Sequence, residues 1–146
     1  MASRRSGASF ADDPAAKLRA AGLRPTRQRR QLASLLFRRG DRHVTAEILH
    51  QEAKDSGSHV SLATIYNTLH QFTAAGLLRQ VVVDSARNYF DTNTSSHQHF
   101  YDEEAGHLTD IAGDAIVLCG LPKPPDGMAV ASVDVVVRLR PVRRSV

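Results

Sequence analysis

From Asp13 to Gly76 the apolar residues recur at helical spacing, and from Leu77 onward they mostly alternate. Asp13 and Pro14 mark a helix start, because Asp caps and Pro is tolerated at the first helical position. That helix runs over Pro14–Ala21 and stops at Gly22. Thr26, after Pro25, caps a second helix that places Leu32, Leu35, Leu36 and Phe37 on one face as far as about Arg38, ahead of Gly40. Thr45 opens a third helix with apolar positions Ile48, Leu49 and Ala53, ending near Ser56 and Gly57. Ser61 caps a fourth, Leu62–Ala75, in which Leu62, Ile65, Leu69 and Phe72 fall at helical spacing and Gly76 stops the run.

After Gly76 the period changes. Leu77–Asp84 is rich in valine, Asn88–Asp91 is short and aromatic, and Asp84-Ser85-Ala86-Arg87 is turn-forming, which predicts a β-hairpin. Helices joined by a short turn and followed by a hairpin predict a winged helix-turn-helix. In such a module the helix nearest the hairpin enters the major groove of DNA and the wing meets the backbone. Further on, Gln98–Tyr101 and Gly106–Ile111 predict strands around the turn Asp102-Glu103-Glu104-Ala105. A helix is expected from about Asp114 to Cys119 or Gly120, then a Pro-rich loop Leu121–Gly127. A long strand Met128–Leu139 follows, with Val133, Val135 and Val137 alternating. The fold class is therefore α+β: an N-terminal winged helix-turn-helix, then a small C-terminal α/β dimerisation domain. The expected boundaries are a flexible tail over 1–12, a DNA-binding domain over 13–91, a dimerisation and ligand-sensing domain over 92–140 and a basic tail over 141–146. So small an α/β unit, with open strand edges, is stabilised by pairing with a copy of itself.

Charge divides the chain at the same place. Residues 1–90 carry 14 basic and 7 acidic side chains, and residues 91–146 carry 5 and 8. A basic half beside an acidic half suits contact with a polyanion through the first half only. The single cysteine, Cys119, excludes an internal disulfide and any zinc site built in one chain from two thiolates. It agrees with a reducing, cytoplasmic location. No apolar run has the length of a membrane span, and no apolar segment follows Arg4 and Arg5 to make a secretory signal. At the charge boundary, Asp91-Thr92-Asn93-Thr94-Ser95-Ser96-His97-Gln98-His99 holds a carboxylate and two imidazoles. The alternating His97 and His99 share one face if the segment is extended.

Five blocks then resemble the ferric uptake regulator family. They are Ala21-Gly22-Leu23-Arg24-Pro25-Thr26-Arg27-Gln28-Arg29, His43-Val44-Thr45-Ala46-Glu47, Ser61-Leu62-Ala63-Thr64-Ile65-Tyr66-Asn67-Thr68-Leu69, Ala75-Gly76-Leu77, and Asp91 with His97 and His99. Arg24–Arg29, Leu77–Val81 and Tyr89–Asn93 are most similar to the family's iron response regulator branch, which is linked to haem. The resemblance implies a cytoplasmic, dimeric transcriptional regulator of iron or haem homeostasis, a repressor or an activator, that binds a palindromic or pseudo-palindromic operator. It puts the major-groove contacts on Ala63, Tyr66 and Asn67. Many relatives carry Arg where Asn67 stands; Asn pairs with adenine and Arg with guanine, so the operator preference changes with it. Arg24 matches a minor-groove or backbone contact, and Arg27, Arg29 and Arg79 suit phosphates by charge.

The resemblance also implies a regulatory metal site of His43, Asp91, His97, His99 and Asp110. Imidazoles with carboxylates suit Mn2+ or Fe2+, with Zn2+ as a surrogate. The branch implies haem as a second ligand, axially on His97 or His99. Two departures bear on this. Asp102-Glu103-Glu104-Ala105 stands where the family has a Cys-x-x-Cys, so no cysteine-ligated structural zinc is expected. The chain reads His97-Gln98-His99 where the branch often carries three histidines, and its N-terminus has no Cys-Pro haem motif. The alternatives weighed against this reading are a metal-dependent hydrolase on Asp91, His97, His99 and Asp110, with Glu103 or Glu104 as base, and a metal buffer that binds DNA only nonspecifically.

Overall fold

The computed structural model describes residues 13–144, which form four helices and six short strands, the first strand lying between the second and third helices. The 1–12 tail and the last two residues of the basic tail lie outside the described residues. The chain divides into two compact units, one ending at Thr94 and the next beginning at Ser95.

The first unit holds helices α1 (Pro14–Ala20), α2 (Arg27–Phe37), α3 (Ala46–Asp55) and α4 (Leu62–Ala74), with strands β1 (His43–Val44), β2 (Arg79–Val82) and β3 (Asn88–Asp91). Each helix begins where a side-chain oxygen takes an unpaired first-turn amide. Asp13 accepts from Ala15 N at 3.0 Å, Thr26 from Arg29 N at 3.3 Å, Thr45 from Ile48 N at 3.2 Å and Ser61 from Thr64 N at 3.2 Å. Gly76 ends α4 with a φ of 79°, and Leu77 N returns to Phe72 O at 2.9 Å. That left-handed turn, open to glycine, aims the chain into the hairpin.

Leu18, Leu32, Leu36, Leu49, Ile65, Leu69 and Phe72 are fully buried in one cluster, joined by Phe90 from the hairpin. Ile48, expected on the apolar face of its helix, is 43% exposed. The buried face of α3 is Ala46, Leu49 and Ala53, at positions i, i+3 and i+7. The sheet order is β1-β3-β2, all antiparallel. Strand β1 has no sequence signal because it is two residues long. It exists because Arg42 and Thr92 lock its start: Arg42 N donates to Thr92 Oγ1 at 2.8 Å and Thr92 N to Arg42 O at 3.0 Å.

The second unit is a sheet of order β5-β4-β6, built from β4 (His97–Asp102), β5 (His107–Ala112) and β6 (Val136–Leu139). Strands β4 and β5 are antiparallel, and β4 and β6 parallel. Asp102 Oδ1 accepts from Glu104 N at 3.0 Å and Ala105 N at 2.9 Å, which closes the turn between β4 and β5.

Two expectations fail here. The helix over Asp114–Gly120 does not form, and residues 113–135 contain no helix or strand. A helix of two turns depends on packing an apolar face. Val117 is 83% exposed and Leu118 47%, so this segment buries no such face within the unit. The strand expected over Met128–Leu139 shrinks to Val136–Leu139. Strand β4 has six residues, and its ladder with β6 spans His99 to Asp102. Just before the ladder, the amide of Val135 donates to Gln98 Oε1 at 2.7 Å, a side chain in place of a neighbouring main chain. A valine alternation makes a strand only where another strand meets its backbone groups.

Candidate functional site

In the first unit, β1 and β3 bring His43 and Asp91 into register as direct partners. His43 Nε2 lies 3.2 Å from Asp91 Oδ2. Asp91 is fully buried, and its Oδ1 also accepts the Asn93 amide at 2.9 Å. A buried carboxylate is stable only with such partners.

In the second unit, β4 alternates buried and half-buried residues, so His97 and His99 share the inner face with Tyr101. Their rings meet edge to face with centroids 4.6 Å apart. His99 pairs directly with Asp110 of β5. His97 Nε2 and His99 Nε2 each lie 3.4 Å from Asp110 Oδ1. The potential ligand atoms of the three side chains lie within 4.8 Å of one another.

The contact behind His97 settles what its ring offers. His97 Nδ1 lies 2.7 Å from Ser95 O. A carbonyl only accepts, so Nδ1 carries the proton, and in the neutral ring Nε2 is a lone pair. That lone pair faces a carboxylate oxygen. The pairing becomes favourable when a cation, a proton or a metal ion, comes between them. A histidine whose far nitrogen donates to a carbonyl while the near one faces a carboxylate is arranged as a metal ligand with its outer partner in place. The donors fit a borderline divalent ion. His97 is 4% exposed and His99 1%, and their shared target is a carboxylate, a geometry suited to a single ion. The part of Ser95 has no signature in the sequence, because it acts through a main-chain carbonyl; Gln98, legible there as the break in a histidine run, also holds the amide of Val135.

The DNA-facing candidates all lie in the first unit. On α4, Ala63 and Asn67 are exposed, one turn apart, and Tyr66 is half-buried beside them. The Tyr66 hydroxyl donates to Glu47 Oε1 at 2.7 Å. This bond, ahead of Glu47's own amide and Thr45, holds the Glu47 carboxyl below its ordinary value and raises the Tyr66 phenol. Arg24 and Arg27 are exposed, and Arg79 is half-buried on β2. Arg29 is engaged within the unit: its guanidinium donates to Arg24 O and to Gln71 Oε1, each at 3.0 Å. It braces the start of α2 against α4.

Arg140 Nε donates to Glu103 Oε2 at 2.7 Å and holds the Glu103 carboxyl below the ordinary value, opposite to what a base near neutrality requires.

A winged helix in a chain that also carries an imidazole–carboxylate ligand set defines a class, the metal-responsive DNA-binding regulators. Residues 20–123 match the ferric uptake regulator family. The peroxide-responsive repressor PerR of Staphylococcus aureus (strain Mu50 / ATCC 700699) is 32% identical over 100 residues, covering 68% of this chain and 67% of PerR. Among solved structures, the ferric uptake regulator of Pseudomonas aeruginosa with manganese aligns over 89% of this chain and 98% of its own, with a TM-score of 0.67 and 24% identity. That of Vibrio cholerae covers 88% and 99%, with a TM-score of 0.68 and 22% identity. The chain belongs to the ferric uptake regulator family. Its members are metal-responsive transcriptional regulators that bind DNA as dimers, and they are not enzymes, which removes the hydrolase alternative. Among the described residues, no helix is long and apolar enough to cross a membrane.

Proposed function

We propose that this protein is a dimeric repressor of iron or haem homeostasis genes whose affinity for a palindromic operator is set by a divalent ion, Mn2+ or Fe2+. The observation that carries this reading is the convergence of His97 Nε2 and His99 Nε2 on Asp110 Oδ1, with His97 Nδ1 committed to Ser95 O. In the proposal, His43 and Asp91 join the same ion, as the family resemblance implies. The 13–91 segment then reads DNA through Ala63, Tyr66 and Asn67. Arg24, Arg27 and Arg79 meet phosphates, with the spare donors of Arg29 beside them. The 92–140 segment senses the ion and dimerises. Such an ion favours one arrangement of the DNA-reading helices over others, and a coupling of about 1–3 kcal/mol changes operator affinity roughly 5- to 150-fold.

The test is a titration of metal-free protein with Mn2+, with Fe2+ under anaerobic conditions and with haem, followed in parallel by spectroscopy and by gel shift. Mn2+ is expected to raise operator affinity, and His97→Ala and His99→Ala to abolish the response. Sequence-specific binding that no ligand alters sinks the sensor reading. A footprint without a protected palindrome favours the metal buffer. Haem becomes the ligand if a Soret change on His97 or His99 tracks DNA affinity and Mn2+ does nothing.

The PerR relatives favour one second reading, in which peroxide is the signal. Hydrogen peroxide should then release DNA from the Fe2+-loaded protein and leave the Mn2+-loaded protein bound.

A further inference from the structure

Tyr66 and Glu47 form a polar contact on the surface expected to face DNA. The Tyr66 ring packs against the core cluster, and its hydroxyl reaches past the core edge to α3. Glu47 sits in the first turn of α3, behind the Thr45 cap, where the amides at a helix start favour a negative charge. The pair lines one side of a cleft of about 300 Å³, and Arg87 and Asn88 at the tip of the wing line another. The contact therefore joins α3 to the middle of α4, across a cleft from the edge of the wing.

The direction of the bond has a chemical consequence. A carboxylate only accepts, so the phenol must donate to Glu47. Its single proton is then used, and the oxygen presents only lone pairs to anything else. A phenol in this state can accept from the exocyclic amine of adenine or cytosine, whose donors mark the major groove. It has no proton for guanine O6, thymine O4 or a phosphate oxygen. The charge on Glu47 also repels phosphate and disfavours docking of this corner against the backbone.

We propose that Glu47 is a positioning and specificity residue for DNA reading, which holds Tyr66 on α4 as a hydrogen-bond acceptor and so selects amine-bearing bases at that step. This rests on the reading of α4 as the DNA-reading helix. Removing Glu47 frees the phenol to donate, including to phosphates, so discrimination falls while nonspecific affinity is kept or increased.

The experiment uses the full chain loaded with Mn2+. A duplex enriched by the wild-type protein from a randomised pool is compared with a scrambled duplex, for wild type, Glu47→Ala, Glu47→Gln, Tyr66→Phe and Glu47→Ala with Tyr66→Phe. Circular dichroism confirms that each variant is folded. Glu47→Ala and Tyr66→Phe are each expected to lower the ratio of selected to scrambled affinity about tenfold. The double variant should lose no more than either single one, because both act through one hydroxyl. Glu47→Gln, which still accepts from the phenol, should restore most of the ratio. Additive losses, an equal loss on both duplexes, or an unchanged ratio in Glu47→Ala overturns the assignment of Glu47 while leaving α4 as the reading helix. If the wild type enriches no sequence at all, the DNA-reading proposal fails and this one fails with it.

Discussion

Asp110 gives one carboxylate oxygen to two imidazoles, His97 and His99, at 3.4 Å each. At the scale of single residues this arrangement predicts how metal binding fails. His97→Ala and His99→Ala should each weaken Mn2+ binding by about 100-fold or more in calorimetry, because each removes an imidazole ligand, and in His97 also the bond to Ser95 O that orients it. Affinity unchanged in either variant would contradict the assignment. Glu47 carries a second prediction. Its folded carboxyl is held below the ordinary 4.5, first by the Tyr66 hydroxyl. A depressed folded value means that the pair stabilises above the unfolded value and loses that contribution as pH falls through the lower folded one. Thermal melts should therefore show a wild-type advantage over Glu47→Gln at neutral pH that shrinks in acid. A constant gap at all pH would show that the charge of Glu47 is not involved. The site's residue types were legible in the sequence; the Ser95 carbonyl that orients His97 was not, because main-chain groups leave no mark there.

At the scale of elements, helix starts were legible because capping is local. Thr26, Thr45 and Ser61 each accept the amide three residues on, as the cap pattern predicts. Strands were legible only in part, since a strand is defined by its neighbour. Strand β1 exists through Asp91 and Phe90, and Met128–Leu139 is cut to the four residues that pair with His99–Asp102 of β4. The junction between Ser96 and Gly113 gives this scale its prediction. A Cβ on Gly113 would lie 2.4 Å from Ser96 O, a main-chain atom that moves only with its strand. Gly113→Ala should destabilise the protein by about 1–3 kcal/mol in urea melts and weaken Mn2+ binding, because Ser96 leads directly into His97. Wild-type stability and affinity together would show that the strand start yields without cost.

At the scale of the whole molecule, basic charge lies in residues 1–90 and acidic charge in residues 91–146. The salt dependence of DNA binding should follow that division. Removing one cation that neutralises a phosphate lowers the slope of log affinity against log salt by about 1. Arg27→Ala and Arg24→Ala should each show this, measured by gel shift over a salt series. Arg138→Ala, on β6, should leave the slope unchanged. A slope altered equally by all three would place the polyanion on both halves.

The four helices of the first unit with their caps, the change of period at Gly76, the charge division and the family to which the chain belongs are all set by the sequence, whereas the helix expected over Asp114–Gly120 is not formed. These depend on neighbours within a few residues or on matched blocks. Tertiary structure alone decided which alternating stretches become strands, which nitrogen of His97 is left as a lone pair, and that one oxygen of Asp110 serves both imidazoles. The reason is the same in each case: hydrogen-bond partners and ligand geometry are set by residues distant in the chain, and only folding brings them within a few ångströms.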